Sequence, residues 1–292
     1  GLSALVSGDV ITASATAPSC KTVSVSSASV TVSTSATTAT NGSTQTICST
    51  APATLSGNAP TVGTGAWSVV SGPSTLASQF SSLTNPTAVF TPAGGVGSYV
   101  VRWTISNAPC TASTANATIT VPRAPTTATN SSTQTICSTA TATLSGNAPT
   151  VGTGAWSVVS GTSTLASQFS SLTNPSAVFT PAGGVGSYVV RWTISNSPCT
   201  ASTANSTITV TGSPTTATNT STQTICSTAT ATLSGNAPTV GTGSWSVVSG
   251  PSTLASQFSS LTNPSAVFTP AGGVGSYVVR WTISNSPCAA ST

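Results

Sequence analysis

The sequence has no histidine, no methionine and almost no charge. Its 292 residues include five that are Lys or Arg, and Asp9 is the single acidic residue. Catalysis by acid–base or nucleophilic chemistry needs a base, an activated nucleophile or a metal held in register, and a calcium site needs several carboxylate oxygens. The composition therefore predicts a protein that is not an enzyme and that has no cofactor and no metal site.

Long apolar runs and clusters of basic residues are also missing. No stretch approaches the roughly 20 apolar residues of a membrane helix, and the first ten residues lack the basic start of a signal peptide. The cations are spread along the chain, whereas nucleic-acid binding uses a clustered basic face. We therefore expect neither membrane insertion nor a nucleic-acid partner, and a near-neutral surface without like-charge repulsion favours self-association.

What the sequence does contain is a period of 89 residues. Trp67, Trp156 and Trp245 mark it, and residues 37–125 align with 126–214 without a gap and with nine differences. This length excludes short solenoid repeats and fits a small β-sandwich domain of about 100 residues. We predict an all-β chain in four parts: the last strands of a divergent preceding domain in 1–36, complete repeats in 37–125 and 126–214, and a repeat in 215–292 that stops before its last strand.

Turn residues divide the first full repeat into short runs with the alternation of strands. The candidate strands are Gln45–Ser49, Ala53–Ser56, Ala66–Ser71, Thr87–Thr91, Ser98–Ser106 and Ala117–Val121. Alternation puts four large residues of the fifth run on one face, and large side chains from the other runs complete the core. The expected core residues are Tyr99, Val101, Trp103, Ile105, Trp67, Val69, Phe80, Leu83 and Phe90. Residues 74–83 are expected to form one short helical turn.

Each repeat has one cysteine in "QTIC" and one in "APC" or "SPC", 62 positions apart. Because no histidine or acidic companions accompany them, this spacing favours disulfides over metal ligation, and disulfides indicate an oxidising location outside the cytoplasm. The preferred scheme links the first and penultimate strands of each sandwich: Cys48–Cys110, Cys137–Cys199 and Cys226–Cys288, with Cys20 left for a partner upstream. The alternative scheme joins neighbouring repeats: Cys20–Cys48, Cys110–Cys137 and Cys199–Cys226, with Cys288 left over.

The segment "GSYVVRWTIS" occurs three times, and each copy carries an arginine with no acidic residue in its own repeat: Arg102, Arg191 and Arg280. Strand alternation points these side chains away from the core. One interpretation is a solvated side chain that lies along the sheet and bonds carbonyl groups or water. The other is a contact to a neighbouring chain or to an anionic glycan, repeated in every domain.

The pattern "TQTIC…ATLSGNAPTVGTGAWSVVSGPS…SYVVRWTISNAPC" resembles the PKD-like, immunoglobulin-like repeats of very large surface proteins of gliding bacteria. Those proteins are exported by the type IX secretion system and include adhesins and filaments. The resemblance covers residues 37–292 and implies tandem sandwiches, each with one disulfide and with cysteines at the family positions, here Cys48 and Cys110. Thr44 and Ala115–Asn116 stand where relatives often carry acidic residues, so the resemblance does not extend to calcium stiffening.

Two functions fit this composition and this resemblance. The first is a structural repeat region of an extracellular bacterial surface filament or adhesin stalk, whose partners are its own neighbouring repeats and other copies of itself. The alternative is an adhesin module that binds glycans or surfaces through the arginine face and the loop "GNAPTVGTG". An ice-binding role is a third idea, but the sequence lacks the regular short threonine repeat that it requires.

Overall fold

The computed structural model describes residues 31–49 and 51–292. Cys20 and most of the predicted preceding domain 1–36 lie outside these residues. The described chain consists of β-strands with one short 3-10 turn in each repeat, and the prediction of tandem immunoglobulin-like β-sandwiches is confirmed. Within the described part, no helix has the length and apolar character needed to cross a bilayer.

The strands of the three repeats follow one pattern. The first repeat contains β1 (Gln45–Thr46), β2 (Ala53–Thr54), β3 (Thr64–Ser71), β4 (Val89–Phe90), β5 (Gly97–Asn107) and β6 (Cys110–Val121). The second contains β7 (Gln134–Cys137), β8 (Ala142–Thr143), β9 (Thr153–Ser160), β10 (Val178–Phe179), β11 (Gly186–Asn196) and β12 (Cys199–Thr211). The third contains β13 (Ala231–Thr232), β14 (Thr242–Ser249), β15 (Val267–Phe268) and β16 (Val278–Ser284). The 3-10 turns are Ala77–Gln79, Ala166–Gln168 and Ala255–Gln257.

Each complete repeat has two layers. In the first repeat, one layer is a four-stranded sheet in the order β1-β6-β5-β3, and the other is the pair β2 and β4. β5 is antiparallel to β3 and β6, whereas β1 runs parallel to β6. The second repeat has the same order, β7-β12-β11-β9, with β8 and β10 opposite. Because β1 and β7 run parallel to β6 and β12, the C-terminal ends of the edge strands lie at the same end of the sheet as the C-terminal ends of β6 and β12.

The first five sequence runs predicted as strands overlap β1 to β5, although β1, β2 and β4 are only two residues long, and β6 begins earlier than the predicted Ala117. It starts at Cys110, because residues that alternation alone does not identify as a strand pair with β5 in a hairpin, for example Ser113 opposite Ile105. The predicted short turn in residues 74–83 is present as the 3-10 turn Ala77–Gln79.

Aromatic side chains fill the space between the two layers. Tyr99, Val101, Trp103 and Ile105 are each 0% exposed, as alternation predicted. The ring of Trp103 lies 4.7 Å from that of Trp67 between centroids. Burial of large apolar side chains at roughly 1.5–3 kcal/mol each makes this cluster the main source of stability in the repeat.

Two of the expected core residues differ from the prediction. Leu83 is 42% exposed, and its carbonyl accepts a hydrogen bond from the Trp67 backbone N–H over 2.8 Å. Val69 is only partly buried at the margin of the core. The contribution of Leu83 is therefore a main-chain contact to β3, which side-chain hydrophobicity does not reveal.

Within the large sheet, β3 has a small residue where the Trp103 side chain of the neighbouring strand β5 crosses it. A Cβ atom on Gly65 would overlap the ring of Trp103. The indole N–H of Trp103 donates to the Asn58 carbonyl over 3.0 Å, so the ring cannot move aside without losing this bond. The loop "GNAPTVGTG" is therefore part of the core wall.

Three separate clusters of buried residues occur, one in each predicted repeat. By contact density the chain divides into two compact units. The first includes the first repeat up to Ala124 together with Asn196–Thr200, and the second includes Pro125–Ser195 and Ala201–Thr292. The hairpin Asn196–Thr200 belongs by sequence to the second repeat and is part of the first unit.

Candidate functional site: the disulfide joints

The cysteines pair between repeats and not within them. Cys48 bonds Cys199 and Cys137 bonds Cys288, each across 151 residues of sequence and with 4.8 Å between the Cα atoms. Both predicted schemes are therefore wrong. The rejected pairs are Cys48–Cys110, Cys137–Cys199 and Cys226–Cys288, and also Cys20–Cys48, Cys110–Cys137 and Cys199–Cys226. Each disulfide joins the "QTIC" cysteine of one repeat to the "SPC" cysteine of the next.

The direction of the edge strand explains why pairing within a repeat fails. Cys137 lies opposite Thr211, at the end of β12, whereas Cys199 is the first residue of the same strand. A strand of 13 residues that rises about 3.3 Å per residue separates the two cysteines by about 40 Å. A disulfide needs Cα atoms about 4.4–6.8 Å apart. The parallel strand β7 therefore carries Cys137 to the end where the chain leaves for the next repeat.

We use the word joint for the linker between two repeats, the hairpin that contacts this linker and the cysteine of that hairpin. Every joint contains a side-chain hydrogen bond. In each joint an asparagine amide donates to a linker carbonyl over 2.7 Å. The donor and acceptor pairs are Asn107 and Thr34, Asn196 and Arg123, and Asn285 and Gly212. A covalent bond and a hydrogen bond thus hold the hairpin against the linker in the two joints that contain a disulfide.

Two cysteines of the described residues are free, Cys110 and Cys226. Cys110 corresponds to Cys199 one period earlier, and its Sγ lies 3.4 Å from the Thr34 carbonyl oxygen. Cys226 corresponds to Cys137 one period later and is exposed. Within the described residues, neither free thiol has beside it a cysteine equivalent to the partner of Cys199 or of Cys137.

The arginines predicted as interaction residues lie on the outer face of the large sheet. Arg102 stands in β5 between Ser68 of β3 and Asn116 of β6. Its Nε donates to Asn116 Oδ1 over 2.9 Å, and Arg191 makes the same bond to Asn205. The solvated interpretation, with the side chain along the sheet, matches this geometry, but the bonded partner is a side-chain amide and not a backbone carbonyl.

Arg280 and the loop "GNAPTVGTG" complete the set of residues proposed for glycan binding. Arg191 bonds Asn205, whereas none of the hydrogen bonds of the described residues involves the Arg280 side chain. The loop contacts the core side of the sheet through Asn58 and Gly65, whereas the arginines face outward. The structure therefore does not bring the arginines and the loop together.

A cleft of about 350 Å³ in the third repeat is lined by residues that include Gln223, Ile225, Cys226, Leu233, Phe268 and Tyr277. In the first repeat, Ile119 of β6 lies between Gln45 and Tyr99, which correspond to Gln223 and Tyr277. The given sequence ends before the counterpart of Ile119, and this accounts for the cleft.

No cluster that could hold a metal was found in residues 31–49 and 51–292, where no three His, Cys, Asp or Glu side chains come together. All buried side-chain nitrogen and oxygen atoms of these residues have hydrogen-bond partners. Buried Gln79, for example, accepts from the Ala93 N–H and donates to the carbonyls of Ser74 and Leu76. Such polar groups close loops and are not free to hold a ligand.

Comparison with known proteins gives likenesses of shape only. No family model matches the chain, and no curated protein is similar to it in sequence. An I-band fragment of titin is 13% identical with a TM-score of 0.49, over 89% of this chain and 96% of that one. Sidekick-1 immunoglobulin domains 1–4 are 13% identical with a TM-score of 0.34, over 87% and 75%. A Ca²⁺-stabilized adhesin of an Antarctic bacterium is 14% identical with a TM-score of 0.35, over 90% and 74%.

Sequence reasoning missed the asparagines of the joints. Each one stands three positions before the second cysteine, in "NAPC" or "NSPC", and this fixed spacing was the available signal. It also missed the partner of Arg102, since the hairpin register that places Asn116 opposite it depends on where β6 begins. Both contacts involve segments with no hydrophobic pattern.

Proposed function

We propose that this chain is a structural repeat region of an extracellular bacterial surface filament or adhesin stalk, and that its disulfides limit how far it extends under tension. The observation that carries the proposal is the pairing of each "QTIC" cysteine with the next repeat. A disulfide within a domain protects that domain alone. A disulfide between domains also fixes the joint, which is the part of a shaft that bends most easily.

The two disulfides overlap along the sequence, and this limits extension. Cys137 lies inside the loop closed by Cys48 and Cys199, while Cys288 lies outside it. The shortest covalent path from Cys48 to Cys288 therefore runs through the disulfides and residues 137–199 only. A stretched residue spans at most about 3.6 Å, so this path reaches about 220 Å, whereas the reduced chain between the same ends reaches about 860 Å.

Single-molecule force spectroscopy tests this proposal on the full chain, held at its two ends. The variant Cys110→Ser/Cys226→Ser is the suitable protein, because it keeps both disulfides and removes the two free thiols found in the described part of the chain. We expect a contour length between Cys48 and Cys288 about four times larger after reduction than before it. Equal contour lengths in oxidising and reducing buffer would contradict the proposal.

Disulfide bonds support the extracellular setting, because they persist in oxidising compartments. The resemblance to large surface proteins supplies the bacterial surface and type IX export as part of the same proposal. Domain boundaries at residues 37, 126 and 215 stay a prediction. Electron microscopy of the isolated chain is expected to show an unbranched row of beads, one for each repeat.

A further inference from the structure

The linker between the first and second repeats carries an exposed arginine. Arg123 lies in residues 122–129, which belong to no strand or helix, and its side chain is exposed. No Asp or Glu side chain occurs in the described part of the chain to pair with it. Pro122 and Pro125 favour extended backbone at the residues that precede them. An exposed, extended segment with an unpaired guanidinium is what an endopeptidase with an acidic specificity pocket binds.

The other arginines of the chain lie inside strands. Arg102, Arg191 and Arg280 belong to β5, β11 and β16, and each is paired with a serine of the neighbouring strand. A protease binds the residues on both sides of the bond that it cuts, and a strand within a sheet offers them only after its ladder has opened. Arg123 is therefore the arginine at which cleavage requires the least unfolding.

One hydrogen bond restrains the carbonyl group beside this arginine. The Arg123 carbonyl accepts from the side-chain amide of Asn196 over 2.7 Å. Hydrolysis of a peptide bond requires its carbonyl oxygen to enter the oxyanion hole of the protease. The bond from Asn196 must therefore open before cleavage, so the rate of cleavage depends on how often this joint opens.

The disulfide of the joint bypasses the linker. Cys48 precedes Arg123 in the sequence and Cys199 follows it, so the pieces 1–123 and 124–292 stay joined after a cut between them. A disulfide within one repeat does not have this effect, because both of its cysteines lie on the same side of the linker. The pairing between repeats is thus what keeps the two pieces together.

The second linker has the same bypass but no arginine. Gly212 stands where the first linker has Arg123, and Cys137 and Cys288 lie on its two sides. A Cβ atom on Gly212 would come no closer than 3.6 Å to other atoms, which is ordinary van der Waals contact. This position accepts a side chain, so the chain offers a matched control for the first linker.

We propose that the disulfides between repeats keep this chain continuous after its linkers are cut, and that Arg123–Ala124 is the bond that an extracellular arginine-specific endopeptidase cuts first. This goes beyond the limit on extension and rests on the proposed function for the extracellular setting. Hydrolysis adds one water across the bond and leaves a carboxylate on Arg123 and an amino group on Ala124. The cut chain still transmits tension, because the shortest covalent path from Cys48 to Cys288 runs through residues 137–199 and through neither linker.

The test treats the folded full chain with a low concentration of an arginine-specific endopeptidase. The background is Cys110→Ser/Cys226→Ser, in which these two thiols cannot link the fragments. We expect one species of full-length size on non-reducing electrophoresis and, after reduction, the two fragments 1–123 and 124–292, identified by mass spectrometry. A chain that is cut only when denatured, a first cut at an arginine of a strand, or fragments that separate without reduction would each overturn the proposal.

Two substitutions exchange the properties of the linkers. Arg123→Gln is expected to slow the first cut at least about tenfold, because the specificity pocket loses its cation. Gly212→Arg is expected to create a second site, and the doubly cut chain is expected to give three fragments after reduction but one species before it. A Gly212→Arg linker that resists cleavage would overturn linker exposure as the reason for cleavage at Arg123.

A second pair of variants tests the hydrogen bond of the joint. Asn196→Ala is expected to raise the rate of cleavage at Arg123 about two- to tenfold, which corresponds to the net value of one hydrogen bond. Asn285→Ala makes the same change in the next joint and is expected to leave this rate unchanged. Equal rates for the two variants would overturn the restraint by Asn196. Force spectroscopy is performed on the uncut chain, so a failure of the cleavage site is distinguished from a failure of the extension limit.

Discussion

The second and third repeats have nearly the same sequence from Thr126 and Thr215 onward, yet they differ in how much of their core is covered. Tyr188 of the second repeat is 0% exposed, whereas the corresponding Tyr277 is partly exposed. The edge segment "QTIC" is strand β7 in the second repeat and has no strand partner in the third. In the second repeat the central strand β12 pairs with β7 and β11, and the given sequence ends before its counterpart in the third repeat. One strand thus completes the core and also orders the segment that carries the cysteine.

The largest expected effect comes from the cysteines that this segment presents. Cys137→Ser/Cys288→Ser removes a disulfide across 151 residues, which the chain-entropy model values at about 5 kcal/mol. Cys226→Ser, the same change at the same position of the third repeat, removes an exposed free thiol and is expected to leave stability unchanged. Guanidinium unfolding followed by tryptophan fluorescence measures both. Equal midpoints for the two variants would show that the disulfide between repeats contributes nothing.

A smaller difference is expected from the isoleucines of the same segment. Ile136 is 7% exposed and Ile225 is 37% exposed. Ile136→Ala leaves a cavity in the core beside β12 and is expected to cost about 2–5 kcal/mol, whereas Ile225→Ala removes a side chain that is already 37% exposed and is expected to cost less than about 1 kcal/mol.

Urea unfolding of the two isoleucine variants, in the Cys110→Ser/Cys226→Ser background to prevent oxidation of these two thiols, measures the comparison. If Ile225→Ala proved as costly as Ile136→Ala, burial under the neighbouring strand would not be the source of the cost at Ile136.

The core could be predicted from the sequence because it depends on local alternation. Tyr99, Val101, Trp103 and Ile105 occupy every second position of one strand, and the pleat alone puts them on one side. Leu83 was misplaced because the same rule does not apply to a loop, where it contributes a backbone carbonyl to β3. Periodicity therefore predicts strands and their faces, and it fails where the chain turns.

The disulfides could not be predicted for a different reason. In a chain with a strict period, Cys48 has equivalent partners at Cys110 and Cys199, and spacing does not distinguish them. The decision rests on the parallel pairing of β1 with β6, a contact between segments more than 70 residues apart in sequence. Without knowledge of this strand direction, pairing within one sandwich was the simpler hypothesis. It is wrong because the two cysteines of one repeat lie at opposite ends of the last strand, about 40 Å apart.

The smallest expected effect concerns the arginines of the second and third repeats. Arg191 bonds Asn205 across the pair β11 and β12, while the Arg280 side chain makes no hydrogen bond within the described residues. Arg191→Gln is expected to cost about 0.5–1.5 kcal/mol, the net value of one hydrogen bond, and Arg280→Gln is expected to cost nothing measurable. Thermal unfolding of the two variants gives the difference.

The triple variant Arg102→Gln/Arg191→Gln/Arg280→Gln addresses the adhesin alternative. Loss of binding to an array of anionic glycans, with the fold intact, would favour glycan recognition through the repeats over a purely structural shaft.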